Sequence, residues 1–385
     1  MNTLLDGSTP LKTIKTKVRV DELAPDVFAY LRQLDGIDQS HIKWSLDPAR
    51  NVEAAEKAGE SQGKSGSFFF FSADKKFIIK TMTNSDFSTF NKLFSDYTRH
   101  VSIYQNSLLA RIYGVFTIKK EDMVPVHLIL MGNTMQVKRL KHVFDLKGSM
   151  VNRETKKGLN KASTTKKDIN IMKMQKGYDK FLRFKQQDQV DIMKIMDRDT
   201  KLLRSHQIMD YSLLLAVDMN LQSVANTTTQ KDREALESIK LKNREGSTPA
   251  SFLQNSSIVT PAPFEKNRHK YVSACEDYYY HLSIIDYLQE FNWDKFLENR
   301  AKSLINKKKD HNMISAVEPN YYRTRFVNFM KEQVVINVDD LKWQPLRKMS
   351  STSSVGSRKN TTANFSQQQS TVINNSIQQH DGPYY

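Results

Sequence analysis

The chain has 385 residues, with 58 Lys and Arg against 42 Asp and Glu, a formal net charge of +16 and a pI near 9.5. With 39% apolar residues, that length suffices for one large domain or two lobes around a real core, which excludes a fibrous or wholly disordered chain. The charge calls for an anionic partner, whether membrane surface, nucleic acid or phosphorylated small molecule, and does not choose among them. A single cysteine, Cys275, excludes an internal disulfide and fits a reducing compartment. Residues 1–12 lack an apolar core of signal-peptide length, and no run approaches the ~18 residues of a membrane span. The expectation is a cytoplasmic protein that visits membranes peripherally.

Leu23, Val27, Tyr30, Leu31 and Leu34 recur at helical spacing and predict one amphipathic helix within 20–44, with Pro25 in its first turn. Residues 51–62 are helix-prone but polar. Residues 58–65, AGESQGKS, fit a loose phosphate-loop pattern. A true loop of that kind follows a buried strand and opens a helix, whereas this one follows a polar stretch and precedes Phe68 to Phe71, a Ser-Ala-Asp-Lys turn and Phe77 to Lys80. That is hairpin patterning. Taken alone, Lys80 reads as a strand-end lysine reaching into water. Residues 85–100 predict a helix, in which Asp86 and Asp96 are the acids, and 108–116 and 126–131 predict strands.

Residues 143–153, VFDLKGSMVNR, set Asp145, Lys147 and Arg153 against apolar residues and Gly148. The pattern suits a surface that holds phosphate oxygens, and equally an edge strand running into a polar turn. Around it, residues 136–167 hold ten Lys or Arg against Asp145 and Glu154, half of the net charge. Such a window reads either as one electropositive face or as an ordinary solvated charge run. Residues 168–201 are polar and partly helical, with Met172, Met174, Met193 and Met196 expected to pack rather than to do chemistry.

In residues 205–217, SHQIMDYSLLLAV, Asp210 interrupts an apolar run that reads as a buried strand or hairpin; in residues 283–289, SIIDYLQ, Asp286 follows two isoleucines. Burying a lone carboxylate costs several kcal/mol, so each acid calls for a partner, a metal or a task. Two acids on separate apolar segments form a plausible metal and general-base pair for phosphoryl transfer. Residues 219–269 and 350–385, poor in aromatics and rich in Ser, Thr, Asn and Gln, read as a disordered insertion and a flexible tail.

DLKGS, MDYSLL and IID in this order resemble the phosphatidylinositol-phosphate kinases, over about residues 10–346. The resemblance implies an α+β fold, a two-lobed variant of the protein-kinase architecture with antiparallel sheets and flanking helices. It divides the chain into a flexible start (1–9), an N-terminal lobe (10–140), the DLKGS and MDYSLL segments (141–218), the insertion (219–269), the IID site with a substrate-specificity loop (270–346) and a tail (347–385). It implies ATP and Mg²⁺ as cofactors. In that family a glycine-rich hairpin covers ATP, so Gly63, Ser65, Gly66 and Ser67 would let the backbone approach the phosphates and Lys80 would pair with the α and β phosphates.

By motif position Asp210 would take the substrate hydroxyl proton, Asp286 would bind Mg²⁺, and Lys147 would neutralise the transferring phosphate. Arg153 and Lys167 would hold the phosphate already on the lipid. Asp145 is expected to orient Lys147, and His206 to be a hydrogen-bonded structural histidine. The family carries glutamates in the helix after the hairpin, where this chain departs from the pattern and offers only Asp86 and Asp96 as partners for Lys80. Asp86 fits a charge at the helix N-terminus better.

Substrate choice in this family lies after IID. Here Glu298, preceded by Lys295, resembles the 5-kinases that use phosphatidylinositol 4-phosphate, although Asp294 takes the place of a second lysine. Trp293 to Lys295 and Tyr322 to Phe326 also resemble the phosphatidylinositol 3-phosphate 5-kinases. Both branches phosphorylate position 5, and the 4-phosphate branch is preferred. Residues 291–314 fit an amphipathic membrane helix, or plain core packing of Phe291, Trp293, Phe296 and Leu297. The partners implied are an anionic membrane surface on the cytoplasmic side, a phosphoinositide substrate and a homodimer mate. A nucleic-acid module would interleave aromatics among its basic residues, and 136–167 holds only Phe144. The remaining rival is a phosphoinositide-binding pseudokinase.

Overall fold

The computed structural model describes residues 17–53, 68–137, 139–176, 182–220, 269–291 and 318–337. Its first sheet comprises β1 (Val18–Glu22), β2 (Phe69–Phe71), β3 (Phe77–Met82), β4 (Ile112–Lys120) and β5 (Val126–Gly132) in the order β1-β4-β5-β3-β2. All its neighbours are antiparallel. The expected hairpin is β2–β3, closed by Ser72, whose hydroxyl and backbone bond Asp74 and Phe77. The loop at 58–65 lies outside the described residues.

The single helix expected within 20–44 is three elements instead. After β1 come α1 (Pro25–Leu34) and α2 (Gln39–Ser45). Ala24 and Gly36 adopt φ of 40° and 73°, a left-handed geometry that ends regular structure on either side of α1. Asp38 then caps α2 by accepting from the His41 backbone at 2.9 Å. Of the expected face Leu31 is buried and Leu23, Val27 and Leu34 are half-buried, whereas Tyr30 is exposed and Phe28 takes the core position in its place.

α3 (Asn84–Ile103) follows the hairpin. Thr83 and Asp86 form its capping box, each side chain bonding the other's backbone N–H at 3.0 Å. Its face of Phe90, Leu93, Tyr97 and Val101 is buried, worth about 1.5–3 kcal/mol for each large side chain.

The second sheet comprises β6 (Leu140–Leu146), β7 (Thr165–Lys166), β9 (Ser212–Met219), β10 (Lys270–Val272) and β11 (Tyr278–Ile285), ordered β10-β11-β9-β6-β7, with only the β6–β7 pair parallel among these described strands. A separate ribbon pairs β8 (Ile208–Met209) with β12 (Gln289–Glu290). Three helices flank this half: α4 (Asp168–Gln175), α5 (Gln186–Ser205) and α6 (Pro319–Phe329), the last running into a π-turn, Met330–Val334. Met196 is fully buried, and Met172, Met174 and Met193 pack against the core, as the sequence predicts. β9 ends at Met219, and residues 221–268 and 338–385 lie outside the described residues.

The two sheets are joined along residues 108–110. Ile284 donates to the Leu108 carbonyl at 2.7 Å and accepts from the Ala110 N–H at 2.9 Å, and Ser283 Oγ also donates to Leu108 O at 3.2 Å. One buried apolar cluster, from Phe28 and Phe90 through Leu109 and Ile284 to Phe326, runs continuously between the halves. This is the two-lobed α+β architecture, with antiparallel sheets and flanking helices.

Candidate active site

The register of the second sheet brings the motif residues together. Leu146 pairs with Leu213 and Ser212 pairs with Ile285, so β6 and β11 end, and β9 begins, at the same edge. Lys147, Asp210 and Asp286 therefore leave the sheet side by side. Strands two places apart are about 10 Å apart, within reach of long side chains. Lys147 Nζ lies 2.7 Å from Asp210 Oδ1. From the other lobe, Lys80 Nζ on β3 reaches Asp286 Oδ1 at 3.2 Å. Two cations and two acids thus form two ion pairs at one edge of the sheet, where the lobes meet.

Both acids sit in left-handed backbone, with φ of 62° at Asp210 and 57° at Asp286. Aspartate tolerates this region better than most residues, but it still carries a cost of order 1 kcal/mol. The residue after each acid anchors the turn. Tyr211 is fully buried, with ring centroids 4.8 Å from Tyr322 and 5.0 Å from Phe326, and its carbonyl accepts from the Tyr322 hydroxyl. Tyr287 is buried against Tyr97 and donates its hydroxyl to the Ala110 carbonyl. The repeated Asp-Tyr pair therefore turns an acid out of the chain and pins the next residue into the core. Asp210 is not buried, contrary to the reading of its apolar run: its side chain is 41% exposed, and that of Asp286 is 53% exposed.

Lys147 and Gly148 are held by a residue that the sequence did not single out. Asp168 is completely buried. Its Oδ1 accepts from the backbone N–H of Lys147 at 2.9 Å and of Gly148 at 2.8 Å, and its Oδ2 from Arg153 Nε at 2.6 Å. An acid in the first turn of a helix reads as an ordinary dipole partner, which is why its role was not visible. Gly148 itself has φ of 65°, and a Cβ built there would lie 2.9 Å from the Phe326 Cα on α6. Its glycine is thus required by the close approach of α6, independently of any phosphate.

Asp145, expected to orient Lys147, binds Arg153 instead: Nη2 donates to its Oδ1 at 2.9 Å and its carbonyl at 2.5 Å. Arg153, 12% exposed, is therefore committed on two nitrogens to Asp145 and Asp168. These acids hold its guanidinium even more firmly protonated, against the opposing pull of burial. Lys167 is half-buried at the N-cap of α4. The basic window is less open than its count suggests. Lys141 donates to the Tyr278 hydroxyl at 2.5 Å, Lys147 and Arg153 are paired, and Lys166 is buried in the sheet at 3% exposure.

No acid of α3 pairs with Lys80. Asp86 caps its own helix, and Asp96 accepts from His206 Nε2 at 2.9 Å and from Arg99. His206 is thus a hydrogen-bonded residue tying α5 to α3. Gly63, Ser65, Gly66, Ser67, Lys295 and Glu298 lie outside the described residues. Phe291 is 5% exposed in the core.

Residues 52–333 match the family model described as Phosphatidylinositol-4-phosphate 5-Kinase. The chain belongs to that family. A probable phosphatidylinositol phosphate kinase of Dictyostelium discoideum is 32% identical over 342 residues, covering 80% of this chain and 47% of the relative. Phosphatidylinositol 4-phosphate 5-kinase type-1 beta of Gallus gallus is 28% identical over 349 residues, 86% of this chain and 61% of the relative. Phosphatidylinositol 4-phosphate 5-kinase 3 of Arabidopsis thaliana is 30% identical over 343 residues, 84% of this chain and 46% of the relative. The chain thus spans about half to three-fifths of the length of these family members.

Among the described residues no three acidic, His or Cys side chains form a ready cage. A magnesium ion that arrives with a nucleotide asks for only one or two carboxylates, the rest of its shell being phosphate and water. Asp286, half exposed and turned out by its left-handed backbone, fits that requirement, with Asp210 beyond it at the same sheet edge.

Proposed function

We propose that this chain is the catalytic region of a lipid kinase that transfers the γ-phosphate of ATP to the 5-hydroxyl of phosphatidylinositol 4-phosphate, giving phosphatidylinositol 4,5-bisphosphate and ADP. The reading is supported above all by the meeting of Lys80, Lys147, Asp210 and Asp286 at the junction of the lobes. The names of its family relatives support the choice of lipid.

In this reading Lys80 leaves Asp286 to neutralise the α and β phosphates, and the backbone at Gly63, Ser65, Gly66 and Ser67 closes over them. Asp286 would hold magnesium, which supplies positive charge to the phosphates when bound. Asp210 accepts the proton of the attacking hydroxyl as the new phosphorus–oxygen bond forms and the bond to ADP breaks. Lys147, ion-paired with Asp210, neutralises the group in flight. Lys167 holds the phosphate already on the inositol ring, and Arg153 contributes through the edge not taken by Asp145 and Asp168. Lys295 and Glu298 belong to the segment that selects the lipid.

No helix among the described residues is long and apolar enough to cross a membrane. Residual basic groups such as Lys156, Lys157 and Lys161, which are exposed, fit peripheral attraction to anionic lipid on the cytoplasmic face, at about 1 kcal/mol per group near the surface.

The test is product analysis with labelled ATP on separate vesicles carrying the 3-, 4- or 5-monophosphate lipid. The expected result is a bisphosphate formed from the 4-phosphate lipid and none from the 5-phosphate lipid. Product from the 3-phosphate lipid alone would overturn the substrate, and vesicle binding without labelled product would overturn the activity.

A further inference from the structure

We infer that a polar stripe on α3, in which Lys92 and Asp96 hold the β8–β12 ribbon and its approach while His100 fastens the same helix to α5, is a positioning element that sets Asp210 and Asp286 relative to each other. The catalytic consequence rests on the phosphoryl-transfer reading above; the structural part does not.

The three residues are one helical turn apart and share a face. Each meets the C-terminal lobe. Lys92 Nζ lies 2.7 Å from Glu290 Oε2 and 3.0 Å from Oε1. Asp96 Oδ2 lies 2.9 Å from His206 Nε2, and His100 Nε2 lies 2.7 Å from Asp199 Oδ1. Asp199 Oδ2 also accepts from the Leu108 N–H at 2.6 Å, where the lobes join.

Two of these partners belong to the ribbon or adjoin it. Glu290 pairs with Ile208 and Gln289 with Met209, and His206 stands two residues before Ile208. Asp210 follows Met209 directly, and Asp286 stands three residues before Gln289. The ribbon is therefore a splint between the two acids. Two residue pairs of antiparallel strand cannot hold themselves together in water, so the splint needs an outside support. Ile208 in the ribbon and its flanking residues Tyr287 and Phe291 are buried in the apolar core, and α3 supplies a polar support.

The order of charges makes the support specific to one register. The helix presents a cation, an anion and a histidine to an anion, a histidine and an anion. Sliding α3 by one turn so that Asp96 faces Glu290 would set carboxylate against carboxylate. The outer pair is largely solvent-exposed, with Lys92 59% and Glu290 34% exposed, so it adds little to global stability. Its effect lies in placement, where a shift of about 1 Å in a reacting group can cost about a hundredfold in rate. These are positioning residues, none of which touches substrate.

The test is a charge exchange in the whole chain: Lys92→Glu, Glu290→Lys and the double variant. Each single reversal is expected to lower kcat about tenfold with KM for ATP within about twofold of wild type, at an unchanged melting temperature. Amide exchange over residues 208–212 and 286–291 should accelerate in the singles. The double variant should recover kcat to within about threefold and restore protection. Lys92→Met, which removes the cation without adding repulsion, should show a smaller loss in the same direction. Singles with wild-type kcat and protection, or a double variant that recovers neither, would overturn the inference. If the wild-type protein turns over no lipid, the kinase reading fails by itself and amide exchange decides the splint: protection lost in the singles and regained in the double supports it, and unchanged exchange overturns it.

Discussion

Lys80 and Asp286 meet across the junction of the lobes: an ammonium on β3 lies 3.2 Å from a carboxylate at the end of β11, 206 residues further along the chain. Side-chain exposures of 36% and 53% mean that water screens the pair, so it contributes only about 0–1 kcal/mol to folding. It therefore opens at little cost when phosphate and metal compete for its two ends.

Lys80→Ala and Asp286→Asn should fold normally by circular dichroism, yet each should lower labelled lipid product by about a hundredfold or more, because the first removes the cation proposed for the α and β phosphates and the second the carboxylate that would hold magnesium. Asp286→Asn should bind phosphoinositide vesicles within about threefold of wild type, since its loss falls on the transition state rather than on ground-state binding. Preserved turnover in Asp286→Asn would remove that residue from the mechanism.

Gly148→Ala should destabilise the protein by about 2–4 kcal/mol, through the strain of a left-handed alanine and the clash with α6. The clash involves backbone, with Phe326 Cα at 2.9 Å and Arg325 O at 3.1 Å, so no rotamer change relieves it. Urea unfolding would read the shift; a variant as stable as wild type would mean that α6 moves freely.

Asp168→Ala should cost about 3–5 kcal/mol, because it leaves a largely buried Arg153 without one of its two acids. It also releases the Lys147 and Gly148 N–H groups. Asp168→Asn, which keeps an acceptor, should lose less stability but still lower turnover by loosening Lys147. Denaturation midpoints and initial rates on 4-phosphate vesicles would separate the two effects.

Stability should fall in mild acid. Burial holds the His281 imidazole down to about 4, and burial, with Lys166 and Lys141 adding to it, does the same for His142. The unfolded chain binds these protons near pH 6.5. Between about pH 6.5 and 4 it therefore binds more protons than the folded chain, and stability declines as pH drops through that window. For His281, only 7% exposed, the loss is on the order of 2–3 kcal/mol. Thermal midpoints measured from pH 7 to pH 4 should show the decline, and His281→Asn should flatten it.

The hairpin at 68–80, the helix over 85–100 and the strands before DLKGS were legible because each rests on spacing between near neighbours. The helix expected within 20–44 was not, since apolar spacing does not register the left-handed breaks at Ala24 and Gly36. The charge window at 136–167 overstated the free positive surface, because composition counts ammonium groups without saying which ones fold against tyrosines, acids or the core.

What the residues alone settled is the inventory: which acids interrupt apolar runs, which lysine follows the hairpin turn, and the three ordered motifs that mark the family; Lys80, read as a strand-end lysine, lies within β3. Only the folded chain decided who meets whom. Lys80 turns to Asp286 rather than to an acid of α3, Asp145 takes Arg153, and Asp168 gathers three donors from the DLKGS segment. The physical reason is range: propensity and periodicity act over a few residues, whereas an ion pair between distant segments depends on sheet register and on which groups water still reaches.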